Sequence, residues 1–307
     1  MKQFDRREFM RMGGQLALAM GLGAGATPRI AEGLEALASG TAPVIWLQGQ
    51  SCSGCSVSFL NSRAPSPFAV LTQFISLRFH STLSTATGHL AMEVLHKSLQ
   101  EGGHLLVVEG SIPAGMPRAC VMGEEPMTEL VKTAAKNAKA VVAIGTCASF
   151  GGVPAAENNP TGAIGVPDFL VKEGITTPAL RLPGCPAHPD WLVGTLAYVL
   201  KVGLPELDKL ARPVMFYGRL IHDQCPRFAD YERERFAEKF SEDGCLFKLG
   251  CLGVSTNADC TYRHWNRGAN TCIKAGAPCI GCASPTFAAK ANLPFYLKGV
   301  ASVTEGA

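Results

Sequence analysis

The chain has twelve cysteines, and eleven of them fall into three groups, which constrains its fold more than any other feature. One group is Cys52, Cys55, Cys147 and Cys185; the second is Cys225, Cys245 and Cys251, with His222 three positions before Cys225; the third is Cys260, Cys272, Cys279 and Cys282. Four thiolates, or three thiolates and an imidazole, can hold an iron–sulfur cluster. The twelfth, Cys120, is predicted to be a free, partly buried thiol.

The N-terminus has the pattern of a cleaved export signal. Arg6 and Arg7 precede a Gly- and Ala-rich apolar stretch of about 15 residues, shorter than the roughly 20 that a membrane-spanning helix needs. Cleavage is expected after Ala38, with Ala24 and Ala26 as alternatives, and a retained anchor or amphipathic helix stays open. The twin-arginine route exports folded proteins, so the cysteines are predicted to be cluster ligands, not disulfide partners.

Charge and hydropathy exclude two classes of partner for the rest of the chain. The formal charge is only +3 and no basic run occurs, so nucleic acid is not expected. No long apolar run follows the leader and residues 301–307 are polar, so the mature chain is expected to be soluble, without a transmembrane segment. We divide the chain into a signal at 1–38, a domain at 43–210 and a C-terminal domain at 211–307.

The segment 43–210 alternates short β-rich runs with stretches of helical spacing. Strands are predicted at 44–47, 105–108, 141–144 and 180–182, and helices at 88–99, 127–136 and 191–200. Short apolar runs of this kind are typical of parallel strands covered on both faces. The pattern predicts an α/β fold with a doubly wound parallel sheet.

Four cysteines follow the ends of three predicted strands. Cys52 and Cys55 come after the first strand, Cys147 after 141–144 and Cys185 after 180–182. Ligands bind at the carboxyl ends of strands in such sheets, so the four thiolates are expected to converge there on a [4Fe–4S] cluster. A structural zinc site or buried free thiols are the alternatives for this group alone. Glu109 ends a predicted strand at the same edge, as a neighbour of the cluster or only as a hydrogen-bond acceptor.

After Leu210 the alternation stops and loops dominate. A segment this short could hardly build its own core without cross-links, which metal clusters supply. His222, Cys225, Cys245 and Cys251 are predicted to form one site, in which the imidazole tends to raise the reduction potential. Cys260, Cys272, Cys279 and Cys282 complete another. His188 is predicted to start a helix, not to bind metal, and His80 is predicted to be structural or interfacial.

Five segments of the chain resemble the small subunit of nickel–iron hydrogenases. They are Cys52-Ser-Gly-Cys55, Gly145-Thr-Cys147-Ala, Pro183-Gly-Cys185-Pro, the segment 222–225 and the segment 278–282. The resemblance runs in order from about Pro43 to Phe287. It implies a flavodoxin-like domain followed by a loop-rich domain organised by clusters, with no catalytic residue in this chain.

The resemblance also implies a role for each cysteine group. Cys52, Cys55, Cys147 and Cys185 would hold the proximal [4Fe–4S] cluster; Cys260, Cys272, Cys279 and Cys282 the medial one; and His222, Cys225, Cys245 and Cys251 the distal one. Many relatives carry Pro at position 272 and a three-iron medial cluster, so Cys272 implies four irons, with [3Fe–4S] as the alternative if Cys272 is not a ligand. Val57, where many relatives have Glu, and Cys272 together resemble the nickel–iron–selenium branch. Gly54 and Gly152 stand where oxygen-tolerant members carry additional cysteines.

The implied partners are a hydrogenase large subunit and, in the periplasm, a multihaem cytochrome c as electron acceptor; a membrane partner bound through another subunit stays open. Two other classes of function compete with this one. A cluster-bearing subunit of a quinone-reducing complex would share the fold and the first site but lack the later cysteine groups. A disulfide-stabilised secreted binding module would use the cysteines as bridges.

Overall fold

A computed structural model describes residues 6–19, 25, 27–28, 31, 43–63, 65–156 and 158–288. A helix, α1, covers Arg6–Ala19 and includes the arginine pair. The expected cleavage positions and the polar tail 301–307 lie outside the described residues. Within the described part, no helix combines the length and the apolar character needed to cross a membrane.

A five-stranded parallel sheet forms the centre of the fold. Its strands are β1 Pro43–Gln48, β2 Ser76–His80, β3 His104–Glu109, β7 Ala138–Ile144 and β9 Ala179–Leu182. They lie in the order β2-β1-β3-β7-β9. Two short antiparallel pairs accompany the sheet: β4 Ile112–Pro113 with β8 Ala163–Ile164, and β5 Val121–Met122 with β6 Glu125–Pro126. The strand order reverses between β1 and β3, as in flavodoxin-like sheets. The predicted doubly wound α/β fold is therefore confirmed.

Helices cover both faces of the sheet. They are α2 Gly54–Phe59, α3 Pro67–Ala69 (continued by a π-helical turn, Val70–Phe74), α4 Gly88–Glu101, α5 Met127–Lys136, α6 Gly145–Phe150, α7 Val166–Lys172 and α8 Pro189–Lys201. Alternate residues of a strand point to opposite faces, so Val44 and Trp46 of β1 pack with α8, whereas Ile45 and Leu47 pack with α4, α5 and α7. The helices predicted at 88–99, 127–136 and 191–200 are α4, α5 and α8.

Beyond residue 210 the described chain adds only short helices: α9 Val214–Tyr217, α10 Phe228–Glu232, α11 Cys260–Arg263 and the 3-10 turns His222–Gln224, Phe247–Leu249 and Leu252–Ser255. This part shares one apolar cluster with the α8 face of the sheet, to which it contributes Phe216, Tyr217 and Leu246. The carboxyl ends of the strands and the loop-rich segment thus lie against each other.

Candidate iron–sulfur sites

The four cysteines of the first sulfur site (Cys52, Cys55, Cys147 and Cys185) lie where three strands end. Cys52 and Cys55 follow β1, Cys147 lies in α6 directly after β7, and Cys185 follows β9. Burial raises the pKa of Cys55 well above its ordinary value, and the charges of Glu109, Cys147 and Cys185 raise it further. Burial also raises the pKa of Cys147 and of Cys185 to about 11, and Cys52 adds to both. These sulfurs repel one another as thiolates, so the arrangement fits a cationic cluster between them.

Two glycines let the backbone approach the sulfurs of this site. Gly145 has a φ of 83°, and a Cβ there would lie 2.5 Å from the Cys55 sulfur. Gly152 has a φ of 55°, and its Cβ would lie 2.8 Å from the Cys147 sulfur. In this chain a side chain at either position would collide with a proposed ligand cysteine, and the positive φ at both positions favours glycine. The contact between Gly145 and Cys55 shows directly that the loops after β1 and β7 meet.

Glu109, at the end of β3, is a buried carboxylate directly behind this site. Its oxygens accept hydrogen bonds from the Cys55 amide at 3.0 Å, the Ser56 amide at 3.4 Å and the Ser56 hydroxyl at 2.5 Å. The Trp46 indole and the Gln48 amide each add a bond of 3.2 Å. Every partner is a donor, which is the pattern of an ionised carboxylate. Glu109 therefore adds a fixed negative charge beside Cys55 and holds the start of α2 in place.

His80, at the end of β2, contacts the hydrogen-bonded group around Glu109 through the Ser56 hydroxyl. Its Nε2 lies 3.1 Å from the Ser56 hydroxyl, and its Nδ1 accepts the Thr82 amide at 3.1 Å. Burial lowers the pKa of His80 to about 4, although the charge of Glu109 opposes the shift. The imidazole is therefore neutral at pH 7 and leaves the charge of Glu109 unbalanced. The prediction that His80 is structural agrees with these contacts; sequence spacing gave no sign of its partnership with Ser56.

The second sulfur site (Cys260, Cys272, Cys279 and Cys282) lies in the loop-rich segment. Burial raises the pKa of Cys260, and the charges of Cys282, Cys279 and Cys272 raise it further. Burial likewise raises the pKa of Cys279 to about 12 and that of Cys282 to about 11, with Cys272 adding to both. The charge of Cys272 therefore acts on the other three predicted ligands, and the charge of Cys251 from the third site acts on Cys272 itself. Cys272 is exposed, whereas Cys279 is buried.

Asp259 anchors the start of α11, which carries Cys260. Its carboxylate accepts a 2.7 Å hydrogen bond from the Trp191 indole and pairs with the buried Arg263 guanidinium. Trp191 belongs to α8, so this contact fixes the second site to the sheet. His188 is the N-cap of α8 and accepts the Asp190 amide at 3.1 Å through Nδ1, which confirms the prediction that it helps to start a helix.

The third sulfur site (His222, Cys225, Cys245 and Cys251) surrounds one small cavity, which Phe247 and Ile273 also line. Burial raises the pKa of Cys225, and the charges of Cys251 and Cys245 add to this. The His222 ring lies edge-on to Tyr231, with centroids 4.6 Å apart and planes at 82°. This edge-on packing contributes to the orientation of the imidazole ring.

Arg227 holds together the two chain segments that carry Cys225 and Cys245 of the third site. Its amide donates to the Cys225 sulfur at 3.4 Å, and its guanidinium donates to the carbonyls of Glu242 and Gly244 at 2.7 Å each. Cys245 directly follows the second carbonyl. Sequence reasoning missed this residue, because an arginine two positions after a cysteine carries no specific signal.

Two close contacts join the three sites. The Cys185 amide of the first site lies close enough to the Cys282 sulfur of the second to lower its pKa, against the larger effect of burial. The Cys279 amide of the second site donates to the Cys251 sulfur of the third at 3.4 Å. The sites therefore form a series in space, first to second to third, although the third site comes before the second along the chain.

In the part of the chain that the structure describes, no three His, Cys, Asp or Glu side chains surround a point where one metal ion would fit. All twelve cysteines are free of disulfide bonds. Cys120 is half-buried in the apolar layer on the other face of the sheet, where burial raises its pKa.

Comparison with known proteins gives one consistent result. Residues 52–199 match the family of the NADH ubiquinone oxidoreductase 20 kDa subunit, and residues 217–296 match the C-terminal region of NiFe/NiFeSe hydrogenase small subunits. A periplasmic [NiFeSe] hydrogenase small subunit from Desulfomicrobium baculatum is 41% identical over 95% of this chain and 98% of its own length. A periplasmic [NiFe] hydrogenase small subunit from Solidesulfovibrio fructosivorans is 39% identical over 96% of this chain and 93% of its own. The structure of an H2-activated [NiFeSe] hydrogenase from D. baculatum superposes with a TM-score of 0.79 at 44% identity, covering 83% of this chain and 98% of that one.

Proposed function

This chain belongs to the small subunits of NiFe/NiFeSe hydrogenases, and from that premise we propose that its three sulfur sites hold three [4Fe–4S] clusters in series. As a hydrogenase small subunit it transfers electrons and pairs with a large subunit. The first site would hold the proximal cluster, the second the medial cluster and the third the distal cluster. The convergence of four cysteines from the ends of three strands supports this assignment most strongly.

The reaction of the heterodimer is H2 ⇌ 2 H⁺ + 2 e⁻, with H2 handled in the large subunit. When bound, the clusters supply one-electron redox centres. The residues of this chain hold the sulfurs, exclude water from Cys55 and Cys279, and direct amides such as those of Arg227 and Gly281 at them. Amide hydrogen bonds to sulfur and burial are among the factors that set cluster potentials.

The match of residues 52–199 to the quinone-oxidoreductase family supports a shared fold and first site. The second and third sites lie beyond that match, within the region that resembles hydrogenases. These two sites favour the hydrogenase function over the quinone-reducing alternative.

The electron acceptor we propose is a periplasmic multihaem cytochrome c. Three of the relatives carry the word periplasmic in their names, and Arg6-Arg7 has the form of a twin-arginine signal, which would export the folded, cluster-bearing chain.

Chemical analysis of the purified heterodimer tests the three clusters. We expect about 12 acid-labile sulfides and a matching iron content in this subunit, because three cubes carry four of each. Acid-labile sulfide is the better measure, since iron bound elsewhere in the heterodimer does not contribute to it. A content near four would mean that only one site is filled, and the assignment of the other two would be wrong.

The variant Cys272→Pro tests the nuclearity of the medial cluster. With only Cys260, Cys279 and Cys282 remaining, the fourth iron loses its protein ligand, so we expect the medial centre to become a three-iron cluster. Electron paramagnetic resonance of the oxidised heterodimer should then show a three-iron signal that the parent lacks. Cys120→Ala is the matched control, since it removes a thiol outside the three sites. An unchanged spectrum in Cys272→Pro would show that Cys272 is not a ligand.

A further inference from the structure

Thr146 lies where the loops of the first sulfur site meet the second. It occupies the position before Cys147 in α6 and is only 1% exposed. Its amide donates to the Gly184 carbonyl at 2.9 Å, and its hydroxyl accepts the Gly184 amide at 2.9 Å. Gly184 precedes Cys185, so Thr146 ties the loop after β7 to the loop after β9.

The same hydroxyl also reaches the second site. It donates its proton to the carbonyl of Cys282. One oxygen therefore accepts from the loop that carries Cys185 and donates to the residue whose sulfur belongs to the second site. A hydroxyl has the single donor and the free lone pairs that this double role needs.

The close contact between the two sites lies at this position. The Cys185 amide lies within hydrogen-bonding reach of the Cys282 sulfur, across the boundary between the two sites. Tyr217 packs at the same junction, where its hydroxyl donates to the Pro183 carbonyl at 2.8 Å. This bond holds the loop after β9, whereas the Thr146 hydroxyl bonds to both sides of the junction.

We propose that Thr146 is a positioning residue that sets the contact between the first and second sulfur sites, and thereby the rate of electron exchange between them. This inference rests on the proposed function, because it requires clusters in both sites. Thr146 binds neither cluster; it acts by holding the Cys185 amide against the Cys282 sulfur. Electron exchange depends on the separation of the centres, so a small displacement of Cys282 changes the rate while both clusters stay bound.

The test compares variants of Thr146 in the intact heterodimer. Thr146→Val keeps the branched shape but removes the hydroxyl, which leaves the Gly184 amide and the Cys282 carbonyl without this partner. We expect weaker magnetic interaction between the proximal and medial clusters in electron paramagnetic resonance of the reduced protein. We also expect internal electron transfer between them, followed after rapid photoreduction, to slow by roughly 10-fold, within the usual effect of residues that orient ligands. Thr146→Ser retains the hydroxyl and should restore both properties.

Thr195→Val is the matched control. Thr195 is fully buried in α8, and its hydroxyl has no hydrogen-bond partner among the described residues, so the same substitution there should change neither readout. If Thr146→Val assembles poorly, Thr146→Ala and Thr146→Ser form the deciding pair: a normal Ser variant beside an altered Ala variant supports the proposal. Normal coupling and rate in a cluster-loaded Val or Ala variant would overturn it, and so would a Ser variant as impaired as these. A parent protein without cluster signals would instead refute the proposed function on which this inference depends.

Discussion

Replacing Cys55 by alanine will remove the proposed proximal cluster and stop the delivery of electrons from H2 to an external acceptor. Cys55 is the most buried ligand of the first site, and the charges of Cys147, Cys185 and Glu109 all act on its sulfur. Because even the partners that orient metal ligands cost about 10–100-fold when mutated, we expect the loss of this ligand to lower H2-driven viologen reduction by more than roughly 100-fold. The measurement is the rate of viologen reduction by purified heterodimer under H2.

Two comparisons make this result specific. Cys120→Ala removes a thiol on the other face of the sheet and should retain the parent rate. The exchange of D2 with protons of water, followed by analysis of the dissolved gas, needs only the chemistry of the large subunit. This activity should persist in Cys55→Ala if the heterodimer still assembles. A Cys55→Ala heterodimer that reduces viologen at the parent rate would exclude Cys55 as a ligand of an essential cluster.

Removing the iron of the proposed second and third clusters will unfold the loop-rich segment while the sheet persists. Between residues 211 and 288 the longest described helix is Phe228–Glu232, and the segment adds no strand to the sheet. Eight of its side chains are instead the proposed ligands of the second and third sites. Structural metals contribute about 10–16 kcal/mol of apparent binding free energy in small zinc domains, so their loss should exceed what the remaining contacts supply.

Amide hydrogen exchange of the protein before and after chelation of iron under reducing conditions measures this effect. We expect exchange in 211–288 to accelerate by at least about 100-fold, because the segment then opens locally. The buried strand β3, His104–Glu109, is the internal control and should keep its protection. Equal acceleration in β3 would show that the clusters stabilise the whole chain as one unit, and no acceleration in 211–288 would show that the segment does not depend on them.

The fold of the first half could be predicted because its physical signals are local. Fully buried strands such as β3 and β7 appear as short apolar runs, and the loops after β1, β7 and β9 carry their cysteines at the place where parallel sheets bind ligands. The strand β2 was missed. Its residues, Ser76–His80, form an edge strand with a partly exposed pattern, and only pairing with β1 defines them.

The groups that support the sites could not be predicted, because they depend on contacts between distant parts of the chain. Glu109 was expected at the sheet edge, but its five donors come from β1 and α2 as these are arranged in the fold. Arg227 and Thr146 have ordinary sequence surroundings; only the fold brings them beside the sulfurs. The order of the sites, which for residues 222–282 differs from their order along the chain, was implied by the family resemblance and not by the spacing of the cysteines.

The arrangement of the first site has a consequence for biosynthesis. Its proposed ligands extend from Cys52 to Cys185, and the last comes from a loop that exists only after β9 has joined the sheet. A nascent chain on the ribosome therefore cannot offer a complete proximal site until most of the flavodoxin-like part has been translated. By contrast, the proposed distal ligands from His222 to Cys251 lie within one short stretch of chain. Assembly of the proximal site and of the distal site therefore need not begin at the same time.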